Sequence, residues 1–410
     1  RRRYELTLTQ SCRSVPGAPA PQPFHIPIDA ALIGPDGSEL RGARMLELTE
    51  AEQTFVFEDV PAPPVPSLLR GFSAPVTIDA KLTDDERAVL MAHDPDPFVR
   101  WDAAQTLAIG LIRRLAAAWR KGEALDVPRS FADAFASTLA DDGIGDLLKS
   151  QILSLPDEPV LSEGLATIDL DAHMAARHAL RRTLAEAMQP QLLQAYHARA
   201  ETKPYVPDYD SISRRRLKNA CLELLTALDT PQIADLCLAQ VKTAGNMTDQ
   251  FEALCYLTHL DAPQRDEALA WFYERWKDNR IVINKWFNAQ ALSRAPGAVE
   301  RIVALESHPA HDLGDMARSM MYYGGFFRQN RVAFHDPSGA GYRFLGDRLL
   351  MIDKMGRAGS TYIMPQINQW RRYDPHRQAL MKAELERVAA APNISKSLRE
   401  NVMRALQPQS

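Results

Sequence analysis

The sequence contains no apolar run long enough to cross a bilayer, so a membrane-spanning helix is excluded and no membrane partner is expected. Basic residues bring no excess. With 48 Lys and Arg against 52 Asp and Glu, the net charge is −4, and the electrostatic footprint of a nucleic-acid binder is missing. Cysteine is scarce: Cys12, Cys221, Cys237 and Cys255 have no C-x-x-C spacing. The last three lie in apolar helical surroundings, where buried reduced thiols are expected, as in a cytoplasmic protein. None of the ten histidines forms H-E-x-x-H, the pattern that puts two imidazoles on one helical face around zinc. His173 and His178, five apart, fall on different faces, and His308 and His311, straddling Pro309-Ala310, read as surface or capping residues. No G-x-S-x-G and no phosphate-cradling glycine loop occurs. Arg214-Arg215-Arg216 reads as a solvated helix face, and Arg371-Arg372 as equally unremarkable. Asn246-Met-Thr and Asn393-Ile-Ser match glycosylation sequons, but nothing secretory accompanies them. Taken alone, the residues hold no catalytic centre and no metal site.

What is present is a soluble, globular composition, 46% hydrophobic and 24% charged, over 410 residues. That length is too great for one ordinary core, so two or more domains are expected. The chain opens Arg-Arg-Arg-Tyr-Glu inside a strand pattern, with no Met before Met45, and reads as a piece of a longer protein.

Residues 2–10 alternate, with Tyr4, Leu6 and Leu8 on one face and Glu5, Thr7 and Thr9 on the other, the period of a half-buried strand. A Pro-rich connection, 15–23, leads to runs at 24–28 and 31–33, and Gly34-Pro35-Asp36-Gly37 is a strong turn signal. His25 is expected to be a packed strand residue. Further strands are expected at 44–48, 53–57 and 75–79, with the prolines of 61–66 on connections. Such spacing predicts a small antiparallel β-sandwich over 1–81.

From residue 82 the period becomes helical. Thr83 and Glu86 have capping-box spacing. Asp96 is a good N-cap with Pro97 at the first helical position, and the next helix puts Trp101, Ala104, Ala108 and Leu111 on one face as core. Ala220, Ala253 and Ala289 recur 33 and 36 residues apart in three similar amphipathic segments, each followed by another helix. That is the pattern of a degenerate all-α superhelical solenoid of the HEAT/armadillo kind over 82–410. The fold class is therefore α+β multidomain. The regularity gives way over 316–345. A helix there is expected to break at Gly324-Gly325, and a glycine-containing loop over 330–341, flanked by Phe334, His335, Tyr342 and Phe344, is expected to fold tightly over something.

In order along the chain, Tyr4–Gln10, Pro23–Pro27, Thr49–Glu58, Phe72–Val76, Arg100–Gln105, Arg216–Cys221 (RLKNAC), Asn246–Asp249 (NMTD), Lys285–Phe287, Ala333–His335, Gly339–Leu345 and Arg372–Gln378 resemble the C-terminal half of bacterial aminopeptidase N, a zinc exopeptidase of the gluzincin class. The resemblance implies a superhelix closing over a zinc domain around a cavity where peptide N-termini are trimmed. It also implies that the zinc ligands, the catalytic glutamate and the G-A-M-E-N loop lie in domains this chain lacks, so that the chain alone is inactive and carries no cofactor. Its expected partners are the N-terminal and catalytic domains of the same enzyme, and peptide substrates. Arg318 matches a family arginine, given two residues inserted near Tyr322-Tyr323, and becomes a cavity candidate able to pair bidentately with a peptide carboxylate. A helix-surface ion pair is its plainer reading. A second family arginine falls where this chain has Ser360-Thr361-Tyr362, so that contact is expected to be lost. His335 lies in a matched motif and is a cavity candidate whose expected role is anchoring the loop. The competing reading is a free-standing α-solenoid scaffold that binds a protein partner in its concave face.

Overall fold

The computed structural model describes residues 2–12, 17, 22–201, 204–355 and 360–407. Most of the Pro-rich connection of 15–23 lies outside them. The first domain is five strands in two small sheets. β1 (Arg3–Thr9) pairs antiparallel with β4 (Glu52–Glu58), Leu6 opposite Phe55. β2 (Ile26–Ile33) lies between β3 (Glu39–Leu48) and β5 (Val65–Leu68). The inward residues Leu6, Ile28, Leu32, Leu46, Leu48, Phe55 and Phe57 form the core between the sheets. Gly37, at φ 82°, closes the β2–β3 turn with a left-handed backbone that favours glycine. Ile33 and Val65 join the helical core beside Leu90 and Met91, so the sandwich is seated on the helices.

Three expectations fail in this domain. The last strand runs over Val65–Leu68 and not over 75–79; it pairs with β2 alone, and at that sheet edge Pro66 is tolerated. The runs at 24–28 and 31–33 are one strand. His25 is exposed, its Nε2 4.0 Å from Glu47.

The helical domain opens with α1 (Asp84–His93), held by the capping box of Thr83 and Glu86, and α2 (Pro97–Arg120), capped by Asp96. Ala104, Ala108 and Leu111 are buried as expected, but Trp101 is 38% exposed and borders that stripe. Next come α3 (Arg129–Ala140), α4 (Asp146–Leu153), the single turn α5 (Glu158–Leu161) and the long α6 (Leu170–Ala198). The similar segments become α7 (Tyr209–Leu225), α9 (Met247–Thr258) and α11 (Arg280–Ala291), packed side by side in one layer. Between them α8 (Pro231–Thr243), α10 (Pro263–Trp276) and α12 (Ala298–Leu305) form the second layer. Cys221, Cys237 and Cys255 are buried in this stack, outside any disulfide.

The motif residues of α7 and α9 form one buried polar network. The Asp249 carboxylate accepts from Lys218 Nζ, from Asn219 Nδ2 at 2.8 Å and from Asn246 Nδ2 at 3.2 Å. Gln240 donates to Asn219 Oδ1 at 2.8 Å and accepts from Tyr196 Oη at 2.8 Å. Asn246, from the sequon, is thus a buried helix cap and not a surface group. Arg215 is also buried and paired with Glu201, so only Arg214 and Arg216 of the arginine run face solvent.

The chain continues through α13 (Met316–Gly324), α14 (Arg331–Phe334), α15 (Ala340–Lys354), α16 (Ser360–Ile363), α17 (Pro365–Asn368), α18 (Pro375–Ala390) and α19 (Lys396–Leu406). Among the described residues no helix is long and apolar enough to cross a membrane.

Candidate functional site

The stretch 316–345 is more helical than its glycines suggest. Gly324 and Gly325 do not break the chain; α13 runs directly into a π-helical turn, Gly325–Gln329. Glycine serves close packing here. A Cβ on Gly325 would lie 2.7 Å from Asn288 Nδ2, and one on Gly341 would collide with the Phe334 carbonyl. The expected loop shrinks to α14 and a turn. Phe326, Phe327, Phe334, Tyr342 and Phe344 point inward as a buried aromatic cluster.

His335 is wholly buried at the end of α14. Its Nδ1 lies 2.9 Å from Tyr342 Oη, and its ring stacks on Tyr373 with centroids 4.1 Å apart. Nε2 has no partner. Burial, with Arg331 and Arg377 nearby, holds the imidazole well below its ordinary pKa, so it is neutral.

Around His335 the chain closes on itself. Arg377 donates Nε to the His335 carbonyl at 2.7 Å, Nη2 to both oxygens of Asp171 at 2.8 and 2.9 Å, and Nη1 to Asp374 at 2.9 Å. Arg372 donates to the carbonyls of Ser162 and Leu165 at 2.8 and 3.0 Å, and its own carbonyl accepts from Ile168 N at 2.5 Å. Arg331 lies 2.7 Å from Glu158, too bent for a hydrogen bond, and donates to Tyr373 Oη at 2.6 Å. Arg371 caps the carbonyls of Ala405 and Leu406 at 2.8 Å each. The pair read as unremarkable is therefore structural: Arg372, with Arg377, ties this stretch to residues some two hundred positions away, and Arg371 ties it to the C-terminal helix. A cavity of about 770 Å³ sits at the seam, lined by Arg113, Arg120, Asp169, His173, His376 and Arg377 among others.

Arg318 sits apart from His335 and shares no partner with it. It is 8% exposed; Nε donates to Asn284 Oδ1 at 2.9 Å, Nη1 to the Ala310 carbonyl, and Nη2 is 3.7 Å from Asp315. The guanidinium lies over Phe287, 5.7 Å from the ring centre. His308 and His311, expected as surface or capping residues, pack half-buried into the same aromatic group as Trp286, Phe287 and Tyr322. His308 also caps its turn, accepting from Ala310 N at 3.1 Å. At the place of the second family arginine, the side chains of Ser360 and Thr361 lie outside the described residues.

A further group was missed in the sequence because its members come from distant helices. Arg177 and Arg181 of α6, Glu223 of α7, Tyr256 of α9, His259 and the more exposed Arg294 keep contact with solvent. Arg177, Tyr256, His259 and Arg294 are desolvated nonetheless, as groups in a protein-walled recess are. Burial brings Arg177 down to about 10 and His259 to about 3, and it lowers Arg294, with Arg181 adding to the effect. Arg181 donates to the Glu223 carbonyl at 2.6 Å, while its Nε is unsatisfied among the described residues. The Arg294 backbone donates to His259 Nδ1 at 3.3 Å, but its guanidinium has no carboxylate within ion-pairing distance among the described residues. Only the three-to-four-residue spacing of Arg177 and Arg181 was available as a signal, and it is common on solvated helices.

Among the described residues no group of three His, Cys, Asp or Glu side chains is placed to hold a metal ion.

Two family models cover the chain. The Ig-like domain of unknown function DUF3458 matches residues 1–81, and its companion of ARM repeats, DUF3458_C, matches residues 84–407. The chain belongs to this family. Aminopeptidase N of Escherichia coli K12 is 34% identical over 98% of the chain and 47% of its own length. Aminopeptidase N of Caulobacter vibrioides is 37% identical over 92% of the chain and 43% of its own length. Among solved structures, aminopeptidase A of Legionella pneumophila, in complex with aspartic acid, superposes with a TM-score of 0.81 at 25% identity, over 98% of this chain and 47% of that one. The chain thus spans about half the length of the relatives it matches, and it resembles the C-terminal half of bacterial aminopeptidase N, an Ig-like sheet domain followed by a helical solenoid.

Proposed function

We propose that this chain is the C-terminal portion of a zinc aminopeptidase, closing over a catalytic domain carried by the rest of the polypeptide. In that reading it gates the entry of peptides and forms part of the cavity wall where their N-termini are removed. The observation that supports it most is the alignment with aminopeptidases N along nearly the whole chain, over less than half of their length. Zinc belongs to the catalytic domain outside this chain, and no residue here is assigned to bond breaking. The partners are the N-terminal and catalytic domains of the same enzyme and peptide substrates, without nucleic acid or membrane, in the cytoplasm.

Within this reading the recess is the peptide-facing surface. Arg294 is its available guanidinium, suited to a carboxylate by its planar fork of donors. Arg318 and His335 remain cavity candidates. Arg318 has Nε and Nη1 committed to Asn284 and Ala310, so its part is chiefly to hold the wall's shape, with Nη2 alone left for direct contact, and His335 anchors the turn behind it.

Reconstitution tests the proposal. This chain is mixed with a separately prepared zinc-containing N-terminal half, and hydrolysis of an alanyl chromogenic substrate is followed alongside co-elution. Co-elution with restored or altered turnover is expected; two halves that ignore each other would favour the free-standing scaffold.

A further inference from the structure

Outside the closure and the recess, the strongest unexplained feature is a short turn where the two domains meet. Leu69, Gly71 and Phe72 have φ of 56, 60 and 54°, all in the left-handed region. For Leu and Phe, which carry a Cβ, that backbone is strained and persists only where the surroundings impose it. Here they do. Arg70, itself buried, donates to Ser67 Oγ at 3.1 Å, Glu39 at 3.0 Å and Asp94 at 3.2 Å, and Gly71 N donates to Asp96 at 2.9 Å.

The clamped turn does not bury its aromatic ring. Phe72 remains 53% exposed and lies 5.2 Å from Phe98, which in turn lies 6.2 Å from Trp101, 38% exposed. Two large exposed rings bridged by a third form an apolar patch across the boundary between the sheet domain and α2.

We infer that the Phe72–Phe98–Trp101 patch is the docking surface for the part of the same polypeptide that precedes this chain. This rests on the proposed reading of the chain as a C-terminal portion. The occupant follows from lengths: the aminopeptidase N relatives carry more than half of their sequence beyond the match, and the aminopeptidase A fold neighbour likewise extends well beyond the superposed 47%. A patch that spans both domains fixes their relative placement on whatever it meets, which suits a partner contacting sheet and helices at once. Rigid aromatic anchors are the side chains on which such contacts concentrate.

Hydroxyl-radical footprinting of the full-length protein and of this 410-residue chain tests the assignment. Phe72 and Trp101 are expected to be modified in the chain alone and protected about tenfold in the full-length protein, where a docked partner excludes water. A Phe72→Gly variant separates docking from folding. Glycine adopts φ near 54° without strain, which offsets its greater backbone entropy in the unfolded chain and the lost contact with Phe98, so the urea midpoint of the chain alone should change little, while in the full-length protein Trp101 should regain labelling. A variant that loses stability without exposing Trp101 would overturn the assignment. So would equal labelling in both proteins, protection in the chain alone that tracks a dimer in sedimentation, or protection that appears only with added tripeptide. An active full-length enzyme with an unprotected patch would sink this surface and leave the aminopeptidase reading intact.

Discussion

Two polar clusters lie within the same helical stack and are built from the same residue types, yet they are finished differently. In the α7–α9 network every donor and acceptor around Asp249 has a partner, and the group is buried on all sides. In the recess, among the described residues, Arg181 Nε is unsatisfied and the desolvated Arg294 guanidinium has no carboxylate. A saturated network fixes helix against helix and leaves nothing for a ligand. An unsaturated one, still open to solvent, holds its capacity for something that arrives. That difference, more than residue identity, separates scaffold from candidate site.

The largest expected effect comes from breaking the saturated cluster. Asp249→Ala leaves the buried Lys218 ammonium without its partner, which should cost about 3–5 kcal/mol in urea unfolding. An effect below about 1 kcal/mol would mean that the network is not carried by this pair. Next comes the closure: Arg377→Met removes four hydrogen bonds, but Asp171 and Asp374 are partly exposed and can be rehydrated. About 2 kcal/mol is expected, with faster hydrogen exchange around Asp171 and His335.

His335 sharpens the same contrast through pH. Its folded pKa lies below the unfolded value of 6.5, so below that pH the unfolded chain binds the extra proton more readily. Stability is complete above about pH 6.5 and is lost as pH falls toward the folded pKa, by at most about 1.4 kcal/mol per pH unit from this group. His335→Gln should flatten the pH dependence of the urea midpoint between pH 6.5 and 5; an unchanged slope would contradict a neutral, buried imidazole.

The smallest effect on stability is expected in the recess. Arg294→Ala should change unfolding by no more than about 0.5 kcal/mol. In the intact enzyme it should lower kcat/KM about tenfold for tripeptides with a free carboxylate relative to their amides. Equal loss for both would remove the carboxylate role.

Much of the architecture was legible because it is local. The alternation of Tyr4, Leu6 and Leu8, the capping box of Thr83 and Glu86, and the recurrence of Ala220, Ala253 and Ala289 each encode one element or one repeat. What was not legible depends on distant partners. Trp101 falls on the helical stripe by spacing, and only the position of Phe98 and Phe72 leaves it outside. Gly324 and Gly325 read as a break, whereas the neighbouring Asn288 and Tyr362 side chains make them close-packing positions. Arg371 and Arg372 look like surface charge until residues 162–168 and 405–406 arrive beside them. The matched motifs proved largely structural: RLKNAC and NMTD build the α7–α9 network, and Arg372–Gln378 builds the closure. The recess, by contrast, is assembled from single residues on α6, α7 and α9 and in the turns after α9 and α11.

Photo-crosslinking tests most directly whether this chain forms the peptide-facing wall. A tripeptide with a photoreactive C-terminal residue would be bound to the intact enzyme, irradiated, and its adducts mapped by mass spectrometry. Adducts on the recess-facing positions of α6 and α9 and at Ser293-Arg294, competed away by unlabelled peptide, are the predicted result. Adducts confined to α8 and α10, or absent from this chain altogether, would contradict it.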